Sequence, residues 1–184
     1  MSELSNLASS TPAETAAYVA ALLGLIGNDD PVHILGQTPA ALERFLASRS
    51  PDIVTKPEAP GKWSIGAVVQ HLADSELVGG VRLRMVLSHD RPVITAYDQD
   101  LWANRLHYTD ADVREALEQF TVLRRTNLRL WKDLSPADLA RVGRHAERGE
   151  ESLEHMRRLY AAHDLLHLRQ LERIRKTHEG HQTP

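Results

Sequence analysis

The chain has 184 residues, no cysteine and a formal net charge of −3 at pH 7. This length suits one domain with its own hydrophobic core, and the lack of thiols excludes disulfides, thiolate zinc sites and a cysteine nucleophile. The near-neutral charge provides no broad basic surface, so we do not expect nucleic-acid binding.

The first ten residues are small and polar, and they lack the basic start and apolar run of a secretory signal. No later segment has 18 uninterrupted apolar residues, the length that a membrane helix requires. We therefore expect a flexible N-terminus at residues 1–10 on a cytoplasmic protein that has no membrane segment.

Two helices are predicted in the N-terminal part. The first begins at Thr11, where the sequence Thr-Pro-Ala-Glu has the form of a capping box, and it ends near Gly27. The second runs from about Pro31 to Ser48, and Thr38-Pro39 marks either a new cap or a kink within it. Residues 51–61 contain three prolines and one glycine and are predicted to form a linker loop.

Ser64 caps a predicted long helix from Ile65 to about Ser88, where apolar residues recur at helical spacing. Gly79-Gly80 in its middle suggests the close approach of another backbone. Residues 89–108 resemble a long ordered loop with a short helix around Leu101.

A third long helix is predicted from a cap at Thr109 or Asp110 to about Asp133, followed by one helical turn at residues 135–138. Residues 141–150 form an irregular or briefly extended connection, and a fourth long helix spans about 151–176 before a polar tail at 179–184. No strand is predicted. The pattern indicates an all-α fold, a helical bundle over residues 11–178 with an extra N-terminal helical segment.

Two histidines lie on the apolar seam of the last helix. His163 and His167 are four residues apart, so they lie one above the other on one face and can bind one ion. The seam Val68, His71, Ser75, Val78, Arg82 and Met85 of the 65–88 helix places a third histidine, His71, between apolar neighbours. Three imidazoles leave a coordination position open for water or a substrate atom, although three satisfied core histidines would produce the same pattern.

Four ordered segments carry a resemblance to a known family. They are WS at 63–64, HLADSE at 71–76, YDQDLWA at 97–103 and YAAHDLLHL at 160–168, and the similarity runs from about residue 60 to 174. Together they resemble the DinB-like superfamily in its YfiT-type branch. The resemblance implies an up-down-down-up four-helix bundle, a homodimer, and a divalent metal on His71, His163 and His167. Its members are described as metal-dependent hydrolases or as thiol S-transferases that use bacillithiol.

Two classes of function remain open. The first is an enzyme whose metal activates water or a low-molecular-weight thiol cosubstrate for attack on a small-molecule substrate. The second is a noncatalytic module that binds a metal or small ligand in a stress-related role. Nitrogen ligands with an open position suit zinc first and nickel second, and manganese, iron and cobalt are also compatible.

No catalytic acid or base is assigned, because the histidine pair lacks the glutamate of a His-Glu-x-x-His motif. Several polar residues lie on or beside inward helical faces. Among them Asp74 and Asp164 have two alternatives: one of them supports a histidine ligand, or each is a surface carboxylate. Asn127 must be hydrogen-bonded if it is buried, which suits either a pocket lining or a structural polar contact. His145 lies in the loop before the fourth helix and could reach the mouth of the site, but we expect it to be an exposed loop residue. The six other histidines are expected on the surface or in loops: His33, His89, His107, His155, His178 and His181.

Overall fold

The structure is a computed structural model that describes residues 11–179, and these residues form eight helices and three short strands. The helices are α1 (Pro12–Gly24), α2 (Pro31–Ala47), α3 (Pro51–Thr55), α4 (Ile65–Ser88), α5 (Gln99–Arg105), α6 (Val113–Lys132), α7 (Pro136–Leu139) and α8 (Leu153–Glu179). The strands are β1 (Val93–Ile94), β2 (Val142–His145) and β3 (Gly149–Ser152).

Helices α2, α4, α6 and α8 form a four-helix bundle. The most extensive contact joins α4 to α6, while α2 lies against α6 and α8, and α4 also contacts α8. Helix α1 packs against α8 from outside this bundle. The prediction of an all-α four-helix bundle with an extra N-terminal helical segment is therefore confirmed.

The two N-terminal helices follow from their caps. The Thr11 hydroxyl accepts from the backbone N–H of Glu14 at 3.3 Å, which forms the predicted capping box. Helix α2 runs through Pro39 without interruption, so this proline lies within one helix and does not start a new one. A proline at this position leaves the carbonyl of Leu35 without its usual helical donor, and Arg124 Nη1 donates to that oxygen at 2.9 Å.

Helix α4 has the predicted bounds, and its Ser64 cap accepts from the backbone N–H of Ala67 at 3.2 Å. The expected close approach at Gly79-Gly80 is made by side chains and not by a backbone. A Cβ added at Gly79 would lie 2.7 Å from the Tyr160 ring, and one at Gly80 would lie 2.5 Å from the Asn127 amide nitrogen. The two glycines therefore make room for side chains of α8 and α6 inside the bundle.

Several elements differ from the predictions. Helix α1 ends at Gly24 and not near Gly27, and α8 begins at Leu153 and not at about residue 151. The predicted linker contains the short helix α3. Helix α6 begins at Val113 and not after Thr109 or Asp110, because Asp112 accepts from the backbone N–H of Arg114 at 2.7 Å and so acts as the cap. Helix α8 extends through Glu179, so the predicted polar tail begins one residue later, at 180. The remaining tail and the predicted flexible N-terminus at 1–10 lie outside the described residues.

The prediction that the chain has no strands is wrong. Strands β1 and β2 pair in parallel, and β2 and β3 pair as an antiparallel hairpin, so the sheet order is β1-β2-β3. Strand β1 has only two residues, and β2 and β3 have four each and are mostly polar, so no alternating pattern is visible in the sequence. Strand β1, the parallel partner of β2, lies in the distant loop after α4, so this pairing is set by the tertiary fold.

None of the helices within residues 11–179 combines the length and the apolar character needed to cross a lipid bilayer.

Candidate metal centre

The centre of the site is formed by three histidines on two helices of the bundle. His71 lies on α4, and His163 and His167 lie one turn apart on α8. His163 Nε2 is 3.1 Å from His71 Nε2 and 3.0 Å from His167 Nε2. The structure thus brings together the three histidines that the seams predicted.

These separations fit the ligand set of one ion. Two nitrogens that each lie about 2.0–2.1 Å from a shared zinc ion must be within about 4.2 Å of each other. The two measured separations of 3.0 and 3.1 Å meet this condition, and the ligand atoms of all three residues lie within 4.8 Å of one another. The set consists only of nitrogen ligands, which suits zinc and related divalent metals.

The electrostatics of the site keep the three rings neutral. Burial lowers the pKa of His71 and His163 well below the ordinary value, and the neighbouring histidines lower it further. Burial also lowers the pKa of His167 to about 4, although its hydrogen bond with Gln170 opposes this shift. Neutral imidazole is the form that binds a metal, so no proton has to be displaced near neutral pH.

The side chain that orients a histidine ligand is Gln170, one turn after His167 on α8. The Nδ1 of His167 lies 2.7 Å from Gln170 Oε1, an acceptor, so Nδ1 carries the proton and Nε2 presents its lone pair to the centre. His71 Nδ1 is buried and has no hydrogen-bond partner within residues 11–179. The ring of Trp63 packs against His71 with 4.9 Å between ring centroids.

Neither alternative for Asp74 and Asp164 is found: neither carboxylate hydrogen-bonds to a histidine ligand among residues 11–179, and both are buried. Asp74 accepts from the hydroxyl of Tyr108 at 2.6 Å. Asp164 directly follows His163, but its carboxylate faces Arg124, which donates to it at 2.5 and 3.0 Å. No role was predicted for Gln170, and its position one turn after His167 was the available signal.

A buried ion cluster lies behind the histidines. Arg124 of α6 also bonds to Glu76 of α4 at 2.8 Å, and the Thr38 hydroxyl of α2 lies 2.7 Å from Asp164 Oδ2. One guanidinium therefore contacts two carboxylates, and the cluster joins all four helices of the bundle.

Asn127 has the structural role that the sequence left open. It is buried, its amide nitrogen donates to Glu76 Oε1 at 2.8 Å, and its amide oxygen accepts from Arg84 at 2.7 Å. It therefore fixes Glu76 of the buried cluster, and it does not line the pocket beside the histidines.

An open pocket with a cavity volume of about 140 Å³ lies beside His163. Its apolar wall includes Val19 and Leu22 of α1 together with Met156 and Leu159 of α8. The polar residues that line it are Tyr18, Ser75, Arg82, Tyr97, Gln99, His145, Glu147, Arg148 and Tyr160. The predicted ordered loop at 89–108 thus reaches the site through Tyr97, whose pKa burial raises to about 12.

The expectation that His145 is exposed is wrong, because its side chain lies on β2 and is buried in the pocket wall. His33, His89 and His107 are exposed as expected, and His155 and His178 are half-buried away from the three ligands. His181 lies outside the described residues.

The fold and the site define a class of protein, a four-helix bundle in which three histidines converge beside an open pocket. The sequence profile of the DinB superfamily matches residues 34–171. The chain belongs to this superfamily, as the resemblance predicted.

Curated relatives carry names that make them candidate metal-dependent hydrolases. One from Oceanobacillus iheyensis is 33% identical over 108 residues, which cover 59% of this chain and 62% of that protein. One from Bacillus licheniformis is 30% identical over 146 residues, which cover 77% of this chain and 81% of that protein.

A solved structure shares the fold. YfiT from Bacillus subtilis, described as a candidate metal-dependent hydrolase with an unusual four-helix bundle topology, aligns with a TM-score of 0.71 and 26% identity. The alignment covers 79% of this chain and 85% of YfiT.

Proposed function

We propose that the chain is a divalent-metal-dependent enzyme that activates a small nucleophile at His71, His163 and His167. The observation that carries this proposal is the convergence of three neutral imidazoles at the edge of an open pocket. An ion held there would lower the pKa of water or of a low-molecular-weight thiol, so that the nucleophile ionises near neutral pH. The substrate is a small molecule that the pocket holds beside the ion.

The chain's own residues prepare the site before any ligand binds. The helical spacing of α8 sets two rings on one face, and Gln170 fixes the tautomer of His167. The apolar wall of the pocket provides a surface for an apolar part of the substrate.

Hydrolysis is the reaction that the relatives' names suggest. Transfer of a low-molecular-weight thiol such as bacillithiol is the second candidate, and the state of the buried carboxylates favours it. Asp74 is bonded to Tyr108, and Glu76 and Asp164 are bonded to Arg124, so these three carboxylates already have partners. The carboxylate that lines the pocket is that of Glu147, which is exposed. A thiol needs less assistance, because it is intrinsically far more acidic than water.

We propose zinc as the bound ion and nickel as the second candidate. Manganese, iron and cobalt are further candidates, because the metal that is bound also depends on which metals are available in the cell. Elemental analysis of protein purified without a histidine tag measures the metal directly. We expect about one divalent ion per chain, and we expect His163→Ala to lose it. The matched variant His33→Ala changes an exposed histidine of α2 and is expected to keep the ion.

Activity assays separate the two reactions. Turnover of an ester without added thiol supports hydrolysis, and conjugation of a thiol to a chlorinated aromatic compound or an epoxide supports transfer. A His163→Ala variant that retains metal content and both activities would contradict the proposal. Tight metal binding without any turnover would favour the noncatalytic module.

We also propose that the protein forms a homodimer. Gly79 and Gly80 are buried against side chains of their own chain and are not available to a partner. On the same helix, Leu77 and Val81 are 42% and 51% exposed and provide an apolar surface. Light scattering of the purified protein tests the assembly against the chain mass of 20.6 kDa.

A further inference from the structure

His145 is a buried histidine whose donor has no partner. Its side chain on β2 is 3% exposed, and Nδ1 accepts from the backbone N–H of Glu147 at 3.2 Å. Burial, with the nearby charge of Arg148, lowers its pKa to about 4, so the ring is neutral at physiological pH. Because Nδ1 is the acceptor, the proton lies on Nε2. This nitrogen is buried and has no hydrogen-bond partner among residues 11–179.

Arg82 brings a second unpaired donor to the same pocket. Its Nη2 donates to the carbonyl of Thr95 at 2.7 Å, and its Nη1 lies 3.4 Å from the Tyr160 hydroxyl. Its Nε is buried and lacks a hydrogen-bond partner in the described part of the chain. No carboxylate of that part lies within ion-pair distance of Arg82, in contrast to Arg148, which bonds to Glu151 at 2.5 and 2.9 Å.

The two unpaired donors indicate what kind of hydrogen-bond acceptor a ligand in the pocket would provide. Unpaired buried donors are rare in folded proteins because their lost hydration is costly, and the side chains of His145 and Arg82, which carry two of them, both line one pocket here. Arg82 lies 5.9 Å from the centroid of the Tyr97 ring and pairs with no carboxylate of residues 11–179. A neutral N–H and such a guanidinium on the wall of one pocket favour an acceptor that carries negative charge. Two N–H donors on separate side chains can bind the two oxygens of one carboxylate.

We propose that His145 and Arg82 form a subsite for a carboxylate group of the molecule that binds in the pocket. The ligand class is a small amphiphile with a reacting atom at the three histidines, an apolar segment along Leu22 and Met156, and a carboxylate at His145 and Arg82. The location of the reacting atom rests on the proposed function, whereas the carboxylate subsite is tested separately.

The test compares two thiols that differ only in their terminal group. Isothermal titration calorimetry of cobalt-loaded protein measures the binding of 3-mercaptopropionate and of neutral 3-mercapto-1-propanol. We expect the carboxylate thiol to bind at least about tenfold more tightly, because hydrogen bonds to a charged group are stronger than those to a neutral hydroxyl. We expect His145→Leu and Arg82→Gln each to remove most of this preference and to leave binding of the neutral thiol within about twofold.

One control and one alternative variant make the outcome unambiguous. His33→Leu makes the same replacement on the exposed surface of α2 and is expected to keep the preference. Arg82→Gln serves as the informative variant if circular dichroism shows that His145→Leu does not fold. Equal binding of the two thiols, no binding of 3-mercaptopropionate, or a preference retained in the folded variants would overturn the subsite.

The cobalt–thiolate absorption band reports on the proposed function during the same titration. If the band is absent while the preference depends on Arg82 and His145, thiol activation is wrong and the carboxylate subsite is correct.

Discussion

Arg124 is a fully buried cation whose charge is compensated by two carboxylates. Burial opposes its charged form, but Asp164 and Glu76 raise its pKa above the ordinary value. Since Asp164 follows His163 and Glu76 lies on the helix of His71, the cluster connects the backbones that carry the ligands. The same guanidinium also donates to the Leu35 carbonyl that Pro39 leaves without a helical partner.

We expect Arg124→Met to lower the free energy of unfolding by about 3–5 kcal/mol, because it leaves two buried carboxylates unpaired. Urea denaturation followed by circular dichroism measures the change. The neighbouring variant Arg125→Met removes an exposed side chain and is expected to change stability by less than about 0.5 kcal/mol. Equal effects of the two variants would show that the buried cluster contributes nothing specific.

Gln170 acts on the metal centre through its contact with one ligand. We expect Gln170→Leu to weaken zinc binding by about 10–100-fold, because His167 loses the acceptor that sets its tautomer. Gln170→Glu retains an acceptor and is expected to preserve the affinity. Competition with a chromophoric chelator provides the measurement, and Arg169→Leu, at an exposed position beside it, is the control. The interpretation fails if Gln170→Leu binds zinc as tightly as the unaltered protein.

At the scale of elements, α1 gives the pocket a wall that the family match does not include. The DinB profile begins at residue 34, whereas Tyr18, Val19 and Leu22 of α1 line the pocket. The shape of the pocket therefore depends partly on a helix that precedes the matched region.

The contacts around Gly80 in α4 and Gly36 in α2 predict opposite effects on stability when each glycine is replaced by alanine. We expect Gly80→Ala to destabilise the protein by about 1–3 kcal/mol, because the new Cβ meets an Asn127 amide that Glu76 and Arg84 hold in place. Gly36→Ala in α2 meets only ordinary contact with Leu128 at 3.5 Å and is expected to stabilise by about 0.5–1 kcal/mol. Thermal denaturation compares them, and stabilisation by both would contradict the packing at Gly80.

At the scale of the whole molecule, buried neutral histidines make stability depend on pH. His145 and His167 have pKa values of about 4 in the folded protein, and those of His71 and His163 are also lowered. In the unfolded chain these rings titrate near pH 6.5. Between about pH 6.5 and 4 the unfolded state therefore binds more protons than the folded state, so acid favours unfolding.

We expect the metal-free protein to lose stability as the pH falls from about 6.5 to about 4, by up to about 1.4 kcal/mol per pH unit for each such histidine. Urea denaturation at several pH values measures this slope. Replacement of His145 by leucine should make the slope shallower, and His33→Leu should leave it unchanged. A slope in His145→Leu equal to that of the unaltered protein would contradict a buried neutral ring at this position.

The local pattern by itself determined the bundle helices and the three candidate ligands. Caps and helical periodicity are properties of neighbouring residues, so the bounds of α4 and the capping box at Thr11 were predictable. His71, His163 and His167 were identifiable because imidazoles stand out on apolar seams.

Only the tertiary structure decided the surroundings of those histidines. Asp164 pairs with Arg124 and not with a ligand, and β2 pairs with a strand from a distant loop. His145 joins the pocket because that pairing buries it. These outcomes depend on which buried polar groups meet across helices, and a pattern within one helix carries no information about partners on another.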